Sequence, residues 1–118
     1  MEITEQFQRE IAPFYWVDGD GGASVCLDTG LGFLQAVFDS RAAEGFLGNG
    51  YDWESLARVF LDERRPDLRD RLDFDPEAGM FCAYSEDRDA LADFIRAFRQ
   101  ACGDTCLISE LFRRAELD

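Results

Sequence analysis

Apolar residues in this 118-residue chain change their spacing several times, and each change marks a different element. Trp53, Leu56, Phe60 and Leu61 fall at i, i+3, i+7 and i+8, one face of a helix. The Gly48-Asn49-Gly50 turn precedes it, where positive φ costs little. The pattern predicts Asp52 as N-cap, Tyr51 folding over Leu56 as a hydrophobic staple, and an end at Arg64 or Arg65, before Pro66. Leu91, Phe94, Ile95 and Phe98 mark a second helix, with Ser85 expected as its N-cap, Glu86 and Asp87 in its first turn and Gly103 at its end. Asp104 then caps a last helix striped by Leu107, Ile108, Leu111 and Phe112.

Two stretches read instead as strand, turn, strand. Phe14 to Val17 and Ala23 to Leu27 flank Asp18-Gly19-Asp20-Gly21-Gly22, and Leu72 to Phe74 and Met80 to Tyr84 flank Asp75-Pro76-Glu77-Ala78-Gly79. Each is a β-hairpin by its β-branched and aromatic residues and its turn chemistry. Phe33, Leu34, Val37 and Phe38 fit a helix to about Ala43 closed by Gly45, or an extended third strand; the helix is preferred. Ile3, Phe7 and Ile11 recur every four residues, which makes residues 1–12 a short amphipathic helix or a loosely docked N-terminal arm. The expected architecture is α+β, one domain over residues 1–118: a small antiparallel sheet from two hairpins with three to four helices packed on one side.

Charge changes the picture most. The chain has 25 acidic residues against 12 basic ones, a formal charge of −13. Binding phosphate needs cations that displace its counterions, so nucleic acid and anionic membrane are disfavoured as partners and a basic protein is favoured. All 12 basic residues are arginine, and there is no lysine or histidine. A histidine general base, a Ser/His/Asp or Cys/His nucleophile, a Schiff-base lysine and a histidine metal ligand are thereby excluded. Cys26, Cys82, Cys102 and Cys106 form no CxxC pair, which speaks against zinc. Met1 to Glu10 has neither the basic nor the apolar region of a secretory signal, and no apolar run reaches membrane-spanning length, so a cytoplasmic protein with reduced thiols is expected.

Two acidic clusters invite a chemical reading. Asp18-Gly19-Asp20-Gly21-Gly22 resembles the start of a calcium loop, but the required glycine position holds Ala23 and the twelfth holds Thr29 in place of a bidentate glutamate. A plain turn is the better reading. Asp73, Asp75 and Glu77 would serve a carboxylate-based, metal-dependent hydrolase as acid, base or Mg²⁺ ligands. With no basic partner group beside them, a wet strand face and a capped turn account for them more simply. No catalytic residue, metal ligand or cofactor is expected.

The run Gly48 to Leu61, GNGYDWESLARVFL, together with Leu72 to Tyr84, LDFDPEAGMFCAY, resembles the bacterial polymorphic-toxin immunity protein 51 family, from about Ser24 to near the C-terminus. The resemblance implies a small protein that binds and neutralises a secreted toxin in bacterial competition, and implies no catalytic site. Joined to the acidity, it points to an inhibitor covering a basic cleft, a nuclease-type toxin being one such target. The exposed turns supply the candidate partner-binding residues: Asp18, Asp20, Asn49, Tyr51, Asp75 and Glu77. An acidic nucleic-acid mimic acting on a DNA-binding protein is the alternative, distinguished by carboxylates spaced like phosphates along one face. Nothing in the sequence fixes the oligomeric state.

Overall fold

Alternation along the strands decides which residues face the helices. The computed structural model describes residues 2–117; Met1 and Asp118, the ends of the expected domain, lie outside them. Strand β1 (Tyr15–Gly19) turns at Asp20-Gly21 into β2 (Gly22–Asp28), and β3 (Asp73–Phe74) pairs with β4 (Met80–Ser85). Strands β2 and β4 also pair antiparallel, so the two hairpins join into one sheet of order β1-β2-β4-β3. Trp16, Val25, Leu27, Phe81 and Ala83 share one face and are buried. The α+β expectation of a small antiparallel sheet with helices on one side describes this arrangement.

Helices α1 (Glu5–Ile11), α2 (Gln35–Asp39), α3 (Gly50–Arg64), α4 (Arg88–Cys102) and α5 (Thr105–Phe112) form the second layer. The stripes predicted for α3 and α4 are buried: Trp53, Leu56, Phe60 and Leu61 in one, Leu91, Phe94, Ile95 and Phe98 in the other. Trp53 is the hub, with the rings of Phe14, Phe33, Phe38, Phe81 and Phe98 at centroid distances of 5.1–6.2 Å. Aromatic pairs of this kind add about 0.5–1.5 kcal/mol each beyond the area they bury. The N-terminal segment takes the helical form, capped by Thr4, with Phe7 and Ile11 buried against the rest.

Three local expectations are corrected. The helix expected from Phe33 to Ala43 is reduced to the short α2 and a 3-10 turn at Ala42–Glu44, and another 3-10 turn at Thr29–Leu31 precedes it. In one regular helix Phe33 and Phe38 would point about 140° apart, yet both rings pack on Trp53. Leu34, at φ 57°, makes the break that lets both reach it. Gly45, at φ 110°, does close this region, and Arg41 secures it by donating to the carbonyls of Phe112 (2.6 Å) and Ala115 (2.7 Å).

The second correction concerns α3. Its N-cap is Asn49, whose Oδ1 accepts from Asp52 N at 2.9 Å, so Asp52 sits inside the first turn and Tyr51 is no staple but an exposed first-turn residue. The cause is Gly50. Its N–H donates to the Ala78 carbonyl at 3.1 Å, and a Cβ there would collide with the carbonyl oxygens of Glu77 and Met80. Glycine alone permits that approach, and the helix begins where it is made. Asp52, buried, instead gathers the N–H groups of Leu47 (2.7 Å) and Gly48 (2.8 Å), and more weakly Asn49 (3.4 Å).

Third, Asp87 rather than Ser85 caps α4, accepting from Ala90 N at 3.0 Å. Ser85 is still in the sheet opposite Ala23. Its hydroxyl is committed to the Arg71 carbonyl at 2.6 Å and accepts from Asp87 N at 2.9 Å, so it ties β4 to the preceding loop. Asp104 caps α5 as expected, through Leu107 N.

Candidate functional site

The register of the four strands builds a surface on the side of the sheet away from the helices. One cross-strand row runs Tyr15, Cys26, Cys82, and the next runs Val17, Ser24, Tyr84, Asp73. Asp28 lies opposite Met80, and Asp75 N donates to the Cys82 carbonyl at 3.0 Å, which carries the first row on to Asp75. No helix among the described residues covers this face. Tyr15, Val17 and Tyr84 are 43%, 46% and 42% exposed, large apolar side chains of a size that interfaces favour.

Charge carried by the strands and their turns has one sign, and Arg71 borders them in a cleft it lines with Asp73 and Tyr84. No arginine occurs between Glu10 and Ser40 or between Leu72 and Asp87, so the sheet and both hairpin turns carry Asp18, Asp20, Asp28, Asp73, Asp75 and Glu77 and no cation of their own. In the helical layer, by contrast, acid and base alternate and pair. Glu63 and Glu110 hold Arg114 between them, Glu54 holds Arg58, and Asp62 holds Arg69. Their hydrogen bonds to Arg114 keep Glu63 and Glu110 below the usual carboxylate range. Among the described residues every arginine except Arg64 and Arg99 has a carboxylate within 4.0 Å.

The six residues singled out from the sequence fall into two groups. Gly50, held on the carbonyls of Ala78 and its neighbours, brings Asn49 and Tyr51 beside the Asp75–Gly79 turn, so Asn49, Tyr51, Asp75 and Glu77 gather at one end of the sheet. The two stretches that carry the family resemblance thus meet in space. Asp18 and Asp20 lie at the other end, separated by the length of β2, about 20 Å at 3.3 Å per residue. Asp18 is also engaged, accepting from Trp16 Nε1 at 2.9 Å and pairing with Arg88 at 2.9 Å. Asn49 is committed to its cap, whereas Asp20, Tyr51, Asp75 and Glu77 are exposed.

Tyr15, Val17, Met80 and Tyr84 are not among those six, because the turns of the hairpins draw attention away from their strands. The signal is nonetheless present: Tyr15 and Val17, and Met80, Cys82 and Tyr84, repeat with period two, opposite in phase to the core residues. Tyr15 donates to Met80 Sδ at 3.6 Å, and its phenol pKa is raised, first by burial and then by the nearby Cys26 and Asp28.

Among the described residues no three His, Cys, Asp or Glu side chains are placed to hold a metal ion. A cleft of about 480 Å³ lies between α3 and residues 69–74, where Arg58 and Arg69 are already paired with Glu54 and Asp62. No helix among the described residues is long and apolar enough to cross a membrane.

The family model described as Immunity protein 51 matches residues 14–117, beginning just before β1 and taking in the whole sheet and α2 to α5. Among curated proteins and solved structures nothing matches the chain.

Proposed function

Because the chain belongs to the Immunity protein 51 family, we propose that it neutralises its toxin by laying the open face of the sheet over a basic surface of that toxin. The observation that carries this reading is the charge of the strands and their hairpin turns, which hold carboxylates and no arginine, every arginine lying outside them. Tyr15, Val17 and Tyr84 supply apolar anchors, and Asp73, Asp75 and Glu77 supply a rim that steers a cationic partner. Tyr51, beside that rim, extends the contact around the end of the sheet. Asp20, at the far end, is peripheral on this reading.

Inhibition on this reading needs occupancy alone and no bond-making by this protein. A nuclease fits the chemistry well, since its substrate cleft must present cations to a phosphate backbone, and a carboxylate-rimmed face competes for the same groups. The encounter belongs in the cytoplasm of the producing cell, before the toxin finds its substrate there.

The test begins with a tagged copy recovered from its own cells and identification of the toxin domain that co-purifies. Two variants matched in charge are then compared for binding that domain: D73N/D75N/E77Q on the open face and D89N/D104N/E116Q on the helical side. Loss of at least tenfold in affinity for the first alone, chiefly through slower association and with a flatter salt dependence, is the expected result. Equal loss in both, or loss only in the second, overturns the assignment of the face. Recovery of a DNA-binding protein in place of a toxin would favour nucleic-acid mimicry.

A further inference from the structure

Two cysteines lie directly opposite each other at the centre of the open face. Cys26 in β2 and Cys82 in β4 are register partners, with their sulfurs 3.6 Å apart. The hydrogen-bond phase of β4 specifies what kind of partners they are. The Cys82 carbonyl accepts from Asp75 on the β3 side, while the Gly79 carbonyl accepts from Thr29 on the β2 side. A strand residue directs its N–H and C=O to the same side, so Cys82 faces β3 with both, and its pairing with Cys26 is of the non-hydrogen-bonded type. Such pairs bring their Cα atoms to about 4.5 Å and their side chains closest together. That separation is within the range of about 4.4–6.8 Å that a disulfide spans.

We propose that Cys26 and Cys82 form a reversible dithiol–disulfide couple that bridges β2 and β4 across the open face, with a low-molecular-weight disulfide as oxidant. One thiolate of the pair attacks the oxidant's disulfide and forms a mixed disulfide, releasing one thiol. The second thiolate attacks the protein-bound sulfur, closing the Cys26–Cys82 bond and releasing the other thiol. Two protons leave the pair, its sulfurs are oxidised by two electrons, and the oxidant is reduced to two thiols.

The surroundings support the couple. The Cys26 thiol donates to the Cys82 sulfur, which lowers the Cys82 pKa despite its burial. Cys26 is pushed up, first by that same bond and then by burial. Both residues are 6–9% exposed on a face that no helix among the described residues covers. The other two cysteines provide the contrast, because Cys102 is buried with its thiol pushed up to about 12, and Cys106 is exposed with no partner cysteine. The inference rests on strand register and stands whether or not this face binds the toxin.

The test uses the full native chain, incubated with oxidised glutathione and mapped by mass spectrometry without reduction. A Cys26–Cys82 crosslink is expected, with Cys106 carrying glutathione and Cys102 unmodified. In C26S and C82S the remaining cysteine of the pair should stop at the mixed disulfide, and dithiothreitol should restore all four thiols to the wild-type protein. Modification of Cys106 while Cys26 and Cys82 both stay thiols, or a crosslink joining either to another cysteine, overturns the proposal. Because C26S or C82S could perturb the sheet, the wild-type map decides the question on its own.

Discussion

The two faces of the sheet are made by alternate residues of the same strands, yet they are held to different rules. On the inner face Trp16, Val25, Leu27, Phe81 and Ala83 meet the aromatic cluster around Trp53, where shape decides energy and an unpaired charge would be ruinous. On the outer face Tyr15, Val17 and Tyr84 stand among carboxylates and stay 42–46% exposed. The helical layer behind the inner face pairs its charges locally, and the outer face leaves its charges unanswered by any arginine of the sheet. A partner can use only what a protein has not already spent on itself. On the proposed function, the comparison separates the part of this molecule that folds from the part that recognises.

Four measurements press on that division. The largest effect is expected at the hub, where Trp53→Ala should cost about 3–5 kcal/mol in urea unfolding, by loss of transfer energy and by the cavity left among five rings. Its counterpart is Tyr84→Ala, which should change stability by less than about 1 kcal/mol while weakening toxin binding by about 2 kcal/mol, or roughly 30-fold. A Tyr84 variant that unfolds the protein, or binds toxin unchanged, would erase the distinction between the faces.

The junction between the layers should behave as structure. Asp52→Ala removes the acceptor of the Leu47 and Gly48 N–H groups and should cost about 2 kcal/mol, since buried donors left unpaired bear their full desolvation penalty. Toxin affinity of the folded fraction should hold. Loss of binding with an unchanged melting temperature would instead make this turn part of the interface.

The smallest effect concerns acid. Glu63 and Glu110 have folded pKa values lowered by Arg114, so their contribution is fully present above the unfolded value, about 4.3, and is lost as pH falls through the folded values below it. Melting temperatures followed from pH 5 downward should drop less for Glu63→Gln than for the wild type. An equal slope in both would show that these exposed pairs add nothing to stability.

Much of the molecule is legible in its amino-acid sequence. The stripes of α3, α4 and α5, both hairpins and Gly103 and Asp104 at the α4–α5 junction follow from spacing and capping chemistry, which act within a few residues. The departures share a cause that lies farther away. Asp52 is a good N-cap by local criteria, and loses to Asn49 because Gly50 has to reach carbonyls at Glu77 to Met80, some 28 residues on. Ser85 is kept in the sheet by Ala23 and Arg71, and the helix expected after Phe33 is broken by the pull of Trp53 on two rings. The candidate site fares likewise, for its carboxylates can be named from the turns while the tyrosines between them cannot be placed.

The sequence by itself determined the acidity, the restriction of basic chemistry to arginine, the periodicities of helix and strand, and the two stretches that mark an immunity protein. These are properties of composition and short-range order, and they survive without knowledge of contacts. Tertiary structure alone decided that those stretches meet at Gly50, that Asp18 and Asp20 sit at the opposite end of the sheet from Asp75 and Glu77, and that Cys26 faces Cys82. Strand register is the physical reason. It is fixed by which faces must be buried together, a condition on the whole fold that no window of neighbouring residues contains.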